Sequence, residues 1–395
     1  MFDLNAVQHA INEFGFDGWL LFDFRGSNVL ALRILGIDVD KIGSRRFLYY
    51  VPKSGSPVKL VHRIESAVLD HLAGEKIVYL RWQEFEAGIE KMINGGRRIA
   101  MEYSPRNGNP YVSRVDAGIV EIVSDTGAAV VSSGDLIQFF EARWTEAQWQ
   151  LHQQADQLNR QAFDSAWRFI VQRVRESGEV RETEVQSFMM DFFHANNMTT
   201  YHPPIIGANE NSGDPHYSPQ AGRDKTIRLN DFVLIDSWAK MRAPNAVYSD
   251  LTKVGFVGEV VPEKYAEIFQ IVADARDAGI KFVEDAFAGG TDLFGWQVDE
   301  ATRKVIEHAG YGEYFVHRTG HNIGQEVHGN GAHIDYLETR EDRRILPETC
   351  FSIEPGIYLS EFGVRSEIDV FIAADGKVHV TGGLQQAVIP MLKEY

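Results

Sequence analysis

Side chains able to hold divalent cations gather in the C-terminal part of the sequence. They are His317, His321 and His328 in FVHRTGHNIGQEVHG, Glu354 in FSIEPGIY and Glu367 in FGVRSEIDVFI. Upstream, Asp236 in FVLIDSW and Asp250 in VYSDLTKVGF stand in or beside runs rich in β-formers. Hard oxygen donors with imidazole are ligands for divalent metals. Strand geometry says whether they can meet. A hairpin over 231–258 that turns around Arg242-Ala243-Pro244 places Asp236 and Asp250 opposite each other, equidistant from Ala243, with both side chains on one face and about 5 Å apart at Cβ. Glu354 and Glu367 flank a turn around Ser360 and Glu361, with Cys350–Ile353 and Val364–Phe371 as the expected strands. Four carboxylates and one imidazole would carry a charge of about −4, which cannot persist unpaired in a partly buried cleft. Two divalent cations with a shared hydroxide nearly balance it, as in two-metal hydrolases.

The elements that must position these residues follow from the rest of the chain. Its 395 residues suggest two domains, and 44% hydrophobic content is that of a globular protein. A net charge of −17 disfavours nucleic acid and anionic membranes as partners. The single cysteine, Cys350, excludes an intrachain disulfide and reads as a small buried strand residue. There is no cationic leader and no apolar run near membrane length, so a soluble cytoplasmic protein is the expectation.

Residues 1–142 alternate helix and strand, from a helix at Asn5–Phe14 through strands at Gly18–Asp23, Arg46–Pro52, Val58–Val61, Ile77–Leu80, Arg98–Glu102 and Ala128–Val131, the pattern of an α/β layer. The isolated His9, His62 and His71 there read as non-ligands. The second domain, 143–395, opens on a capping box, Thr145 with Gln148, leading a helix to Gly178. A second box, Thr183 with Gln186, opens another helix, and further helices are expected over Glu263–Ala286 and Gly295–Ala309. Long helices backing antiparallel strands make this domain α+β. The loop Ile205–Gly222 is rich in Gly, Asn, Ser and Pro and carries His216 in GDPHYSP; exposed loops on rigid scaffolds are where binding groups collect. The Gly-rich string 320–331 lacks the spacing of a phosphate loop. His317 is four residues from His321, one helical face if that segment is helical, and is either a substrate-pocket or a structural residue; His333 reads as loop or cleft wall.

With these residues in place, the chain resembles the pita-bread metallopeptidases, the family of methionine aminopeptidase, aminopeptidase P and prolidase, and most of all its proline-specific branch. The family's ligands run Asp, Asp, His, Glu, Glu, and the matching positions are Asp236, Asp250, His321, Glu354 and Glu367. The branch's accessory histidines match His216 and His328, and the arginine of its G-[IV]-R-x-E segment matches Arg365. The resemblance covers residues from about 140 to 385, with a fainter likeness of the first 140 to the creatinase-type N-terminal domain. It implies a C-terminal pita-bread fold with a smaller α/β domain before it, and a homodimer. Departures are Asn322 where the family has glycine, Lys253 for arginine, and an Asp-to-Asp interval about three residues longer. Asn322 and the 240–247 loop are expected near the cleft, where they bear on substrate choice.

What the resemblance implies for function is a metal-dependent peptidase acting on short peptides with proline on the leaving side, of Xaa-Pro dipeptidase type. Asp250 and Glu367 would bridge two cations, with Asp236 on one and His321 with Glu354 on the other; the ligand set suits Mn²⁺, with Zn²⁺ and Co²⁺ the alternatives. Glu354 would act as general base and acid, His328 and His216 would stabilise the oxyanion, and Arg365 would orient the substrate's far end. An aminopeptidase P acting on longer peptides, a metal-dependent lyase on the same fold, and a binding module derived from it are the competing readings.

Overall fold

The structure, a computed structural model, describes residues 2–38 and 43–395. Two compact units divide the chain, Met1–Glu141 and Ala142–Tyr395.

In the first unit, helices α1 (Leu4–Glu13), α2 (Val29–Leu35), α3 (Trp82–Ile93), α4 (Ala117–Asp125) and α5 (Gly134–Glu141) accompany a mixed sheet. Its strands are β1 (Gly18–Asp23), β2 (Phe47–Pro52), β3 (Val58–His62), β4 (Glu75–Tyr79), β5 (Arg98–Met101) and β6 (Ala129–Ser132), in spatial order β4-β3-β2-β1-β5-β6. Strand β1 is buried throughout because helices cover both faces of the sheet. Trp19 and Leu21 pack with α1, α2 and α5, whereas Leu20 and Phe22 pack with α3 and α4. The expected α/β alternation is present, with strand ends shifted by one or two residues.

The second unit opens with α6 (Glu146–Ser177). Thr145 caps it, exchanging hydrogen bonds with Gln148, and Gly178 closes it in the left-handed region at φ +81°. After β7 (Glu179–Arg181) comes α7 (Glu182–Ala195), capped two residues earlier than the sequence suggests. Pairing of β7 with β10 (Thr226–Arg228) holds Arg181 extended, so Arg181 becomes the N-cap and Glu184 accepts its N–H at 2.8 Å. Thr183 instead donates to Asp224 at 2.6 Å.

The central hairpin is β11 (Phe232–Met241) with β12 (Tyr248–Phe256), flanked by β8 (Met198–Thr199) and β9 (Ile205–Ala208). Val233, Ile235, Ala239 and Leu251 pack onto α6 and α7, which leaves Asp236 and Asp250 on the opposite face. Helices α8 (Glu263–Ala288) and α9 (Gly295–His308) back β14 (Cys350–Ile353), β15 (Gly356–Tyr358), β16 (Gly363–Arg365), β17 (Ile368–Ile372) and β18 (Val378–Thr381), and short β13 (Asn322–Ile323) pairs with β14. Short β19 (Ile389–Pro390) pairs with the end of β12, and α10 (Met391–Glu394) ends the chain. Among the described residues no helix is long and apolar enough to cross a membrane.

Candidate metal centre

The hairpin register corrects the sequence expectation by two residues. Asp236 faces Thr252, and Asp250 faces Trp238. The turn is centred on Pro244, not Ala243, because the loop is closed by Asn245 at φ +58°. The strand period is two, so a two-residue slip keeps both aspartates on one face; they are diagonal neighbours instead of opposed ones.

The second carboxylate pair comes from a ladder that breaks where the carboxylates stand. The expected strand Val364–Phe371 is two strands, β16 and β17, and the pairings Ile353↔Ile368 and Gly356↔Arg365 keep one register across the gap. Glu354 and Glu367 occupy that gap. Their N–H groups go elsewhere, Glu354 to Thr319 O at 2.8 Å and Glu367 to Thr252 O at 3.2 Å. The second bond draws Glu367 to the Asp236–Asp250 hairpin.

His321 immediately precedes β13 in an extended segment; the helix that would have put His317 and His321 on one face is absent. Its backbone bonds on both sides to Ser352, with Ser352 N donating to His321 O at 2.9 Å and His321 N to Ser352 Oγ at 3.0 Å. Gly320 lies so close to the Ser352 carbonyl that a Cβ there would collide with it. The imidazole Nε2 points at Asp250 Oδ2 and Glu354 Oε1, 3.4 Å from each. Ligand atoms of Asp250, His321 and Glu367 all lie within 4.8 Å of one another.

The electrostatics of this cluster show what it fits. His321 Nδ1 lies 3.3 Å from Asn322 O, which can only accept, so Nδ1 carries the proton and Nε2 presents a lone pair to two carboxylates. Burial first, then His328 and Arg318, hold its pKa well below the usual imidazole range. Burial likewise raises Asp236, Asp250 and Glu367, and mutual repulsion adds to the rise in Asp250 and Glu367. Glu354 is pushed up to about 7 by burial, against the pull of Arg365. Asp236 Oδ1 and Asp250 Oδ1 are buried without a hydrogen-bond partner. Acceptors facing acceptors in a desolvated pocket need cations between them, and the oxygen-rich set with one imidazole suits hard or borderline divalent ions.

Arg365 is buried and ion-paired to Asp236. It also donates to Thr252 Oγ1 at 2.9 Å and to the Tyr358 hydroxyl at 3.0 Å, while Thr252 donates to Glu367 Oε2 at 2.6 Å. Its guanidinium thus ties Asp236, Thr252 and Tyr358 together beside the carboxylates.

Among the histidines, His328 has its ring edge-on to His321, centroids 4.2 Å apart; although the residue as a whole is solvent-accessible, desolvation of the ring against its neighbours, then Arg318 and His216, pushes it down to about 4. His216 is exposed on the 205–222 loop and close enough to His317 and His328 for their charges to repel. His317 bonds the Tyr358 hydroxyl at 2.7 Å. His333 lies in an irregular segment, as a loop residue would, but it is fully buried, and Nδ1 accepts the Asn322 N–H at 3.1 Å.

Asn322, expected near the cleft, does not face the carboxylates. The Asn322 side chain turns away from His321, as neighbours in an extended segment must, donating to Cys350 O and accepting from Gly331 N, each at 2.9 Å. It ties down the glycine-rich loop. Lys253 points to the α6 side of the sheet, over the Phe163 ring. Sequence reasoning also passed over an aromatic wall beside the carboxylates. Trp238 lies across from Asp250, stacked on His202 with centroids 6.0 Å apart, and Tyr201, 67% exposed, packs against it. The spacing of Asp236 and Trp238, two residues apart on one strand face, was the signal that could have found it.

A sequence profile of metallopeptidase family M24 matches residues 150–374. Curated relatives include an Xaa-Pro dipeptidase of Lactobacillus delbrueckii subsp. lactis, 34% identical over 180 residues, 45% of this chain and 44% of that protein. Another is a probable dipeptidase, PepE, of Mycobacterium tuberculosis, 31% identical over 186 residues, 47% of this chain and 45% of that one. The matched part of the chain spans about half the length of these curated relatives. Among solved structures, dipeptidase PepE from Mycobacterium ulcerans superposes with a TM-score of 0.66 at 21% identity, over 98% of this chain and 96% of that one. The X-Pro aminopeptidase from Thermotoga maritima gives 0.56 at 21% identity, over 96% and 99%. At that identity the likeness concerns the two-domain fold.

Proposed function

This chain belongs to metallopeptidase family M24, and on that premise we propose that it is a metal-dependent peptidase that cleaves the amide bond before proline, an Xaa-Pro dipeptidase. The observation that carries the metal half of the reading is the His321 Nε2 lone pair aimed at Asp250 and Glu354, 3.4 Å from each. The preference for proline is supported by the Xaa-Pro dipeptidase among its relatives.

Asp236, Asp250, His321, Glu354 and Glu367 would hold two divalent cations, Mn²⁺ by the hardness of the donors. Cations bound there supply Lewis-acid polarisation of the scissile carbonyl and a nucleophile at neutral pH. The remaining work belongs to the chain. Glu354, with Oε1 anchored by Ser352 Oγ at 3.0 Å, takes the proton of the attacking water and returns it to the departing nitrogen. His328 is neutral at pH 7, so it offers one N–H to the oxygen that gains charge, with His216 as the second donor. Loss of one such donor costs roughly 2.7–4 kcal/mol in the transition state. Arg365 holds Asp236 and, through Thr252, Glu367. Trp238 and Tyr201 offer a flat apolar surface for the substrate beside the reacting carboxylates. A tertiary amide lacks the N–H that other peptidases grip, so shape must do that work.

The test is hydrolysis of a Xaa-Pro dipeptide and a Xaa-Pro-Yaa tripeptide by metal-stripped protein, before and after Mn²⁺ is added. Manganese-dependent cleavage of the dipeptide alone is expected. Preference for the tripeptide would make the protein an aminopeptidase P, and cleavage of neither by metal-loaded protein would refute the peptidase reading.

A further inference from the structure

Helix α6 carries a polar stripe that the proposed chemistry leaves unused. His152, Asp156 and Asn159, at i, i+4 and i+7 on one helical face, are 0%, 5% and 0% exposed on a helix otherwise packed through alanine, isoleucine and aromatic residues. Buried polar groups of this kind must be bonded, and these reach the strands behind the carboxylate cluster. Asn159 donates to Ser237 O at 2.8 Å and accepts from Ser237 Oγ at 2.9 Å, gripping β11 one residue beyond Asp236. His152 Nδ1 donates to Tyr248 O at 2.8 Å, two residues before Asp250, and Nε2 accepts from Thr381 Oγ1 at 2.8 Å. Asp156 accepts the Gly382 N–H at 2.7 Å, fixing the chain just past that threonine.

Asp369 completes the assembly. It is fully buried on β17, 3.9 Å from His152 Nε2, and its Oδ2 accepts the backbone N–H of Asp250 itself at 3.1 Å. That N–H lies on the edge of β12 away from β11, where, among the described residues, the one strand partner, β19, reaches no further than Gly255 and Phe256. Without Asp369 it would be a buried donor with no acceptor. Glu367 sits two residues before Asp369, just ahead of β17, so one short segment supplies both a candidate ligand and the clamp on another.

We propose that Asp369 is a positioning residue: by accepting the Asp250 N–H it fixes the backbone that aims the Asp250 carboxylate at His321 and Glu367. The inference rests on Asp250 being a metal ligand. It requires an acceptor at that point in space and does not require a charge. Asp369→Asn keeps an amide oxygen there, Asp369→Glu keeps the charge but moves the oxygens by one methylene, and Asp369→Ala leaves nothing.

The experiment is Mn²⁺ titration calorimetry on wild type and the three variants, with hydrogen–deuterium exchange of the 248–252 amides as a second readout. Asp369→Ala and Asp369→Glu should weaken Mn²⁺ binding roughly 10- to 100-fold, the usual effect of losing a group that orients a ligand, and should lose protection at the Asp250 amide. Asp369→Asn should stay within about threefold of wild type and keep the protection. The inference is overturned if Asp369→Asn falls as far as Asp369→Glu, which would make charge the cause, or if Asp369→Glu binds as wild type. The Asn and Glu pair decides the matter even if Asp369→Ala does not fold. A wild type that binds no Mn²⁺ overturns the metal reading and this inference together; a wild type that binds it, with variants indifferent, overturns this inference alone.

Discussion

Replacing His317 by glutamine should make the metal-free protein less sensitive to acid. The ring is held in one tautomer. Nδ1 lies 2.7 Å from Arg318 O, which only accepts, so Nδ1 bears the proton. Nε2 therefore accepts from the Tyr358 hydroxyl at 2.7 Å, and the same hydroxyl oxygen accepts from Arg365 at 3.0 Å. A second proton on the ring would set a donor against a donor and a cation beside Arg365. Burial, with Arg365 adding to it, pushes His317 down to about 3 from an ordinary 6.5. The unfolded chain takes up this proton as pH drops below 6.5 and the folded chain does not, so stability present above pH 6.5 is lost on acidification. Between pH 7 and pH 5 the loss from this one group is about 2 kcal/mol. Other titrating groups, the raised carboxylates included, act in both proteins and cancel in the difference. Urea denaturation of wild type and His317→Gln at pH 7 and pH 5 measures it. Wild type should lose about 2 kcal/mol more than the variant. A difference below about 0.5 kcal/mol, within ordinary non-additivity, would refute the locked tautomer and the chain through Tyr358 to Arg365.

Other consequences can be checked alongside. Asp250→Ala and His321→Ala should abolish both full Mn²⁺ occupancy and turnover, while His317→Ala keeps its metal; metal analysis showing full occupancy in the first two would sink the ligand assignment. Arg365→Met strips Asp236 of its buried partner and should destabilise the metal-free protein by about 3–5 kcal/mol in urea, so an unchanged midpoint would mean that the ion pair contributes nothing. Cys350 is fully buried and its thiol is raised well above the usual range, first by burial and then by Asp369, so Ellman's reagent should label it only after denaturation. Rapid labelling of native protein would contradict its place in β14.

The fold was legible wherever local chemistry and periodicity agreed. Thr145 with Gln148 and Gly178 mark the ends of α6, as their capping geometry predicts, and the apolar run Gly18–Asp23 is a strand covered on both faces. Reading failed where a tertiary contact outweighed a local signal. Thr183 has the chemistry of an N-cap, but pairing of β7 with β10 moves the helix start and gives Thr183 to Asp224. The expected strand Val364–Phe371 has no local breaker at Ser366 and Glu367. It is interrupted because Glu367 N turns to Thr252 O on another hairpin, a long-range bond that no window of sequence contains.

The same distinction explains which parts of the cluster could be read. Asp236, Asp250, His321, Glu354 and Glu367 stand out as an ordered set of carboxylates and one imidazole in or beside runs of β-formers. Their convergence survives a register error because the strand period is two, so a slip of two residues changes the partner and keeps the face. The groups that hold them in place are less visible. Asp369 follows Glu367 by two residues, yet as a sequence it is one more acid. His152, Asp156 and Asn159 keep helical spacing, but polar residues on a helix carry no local sign of burial. They are buried because α6 turns that face toward the strands bearing Asp236 and Asp250, and only the packing of helix on hairpin reveals it. Ligands are therefore set by residue type, which sequence displays, and their aim by bonds between distant segments, which it does not.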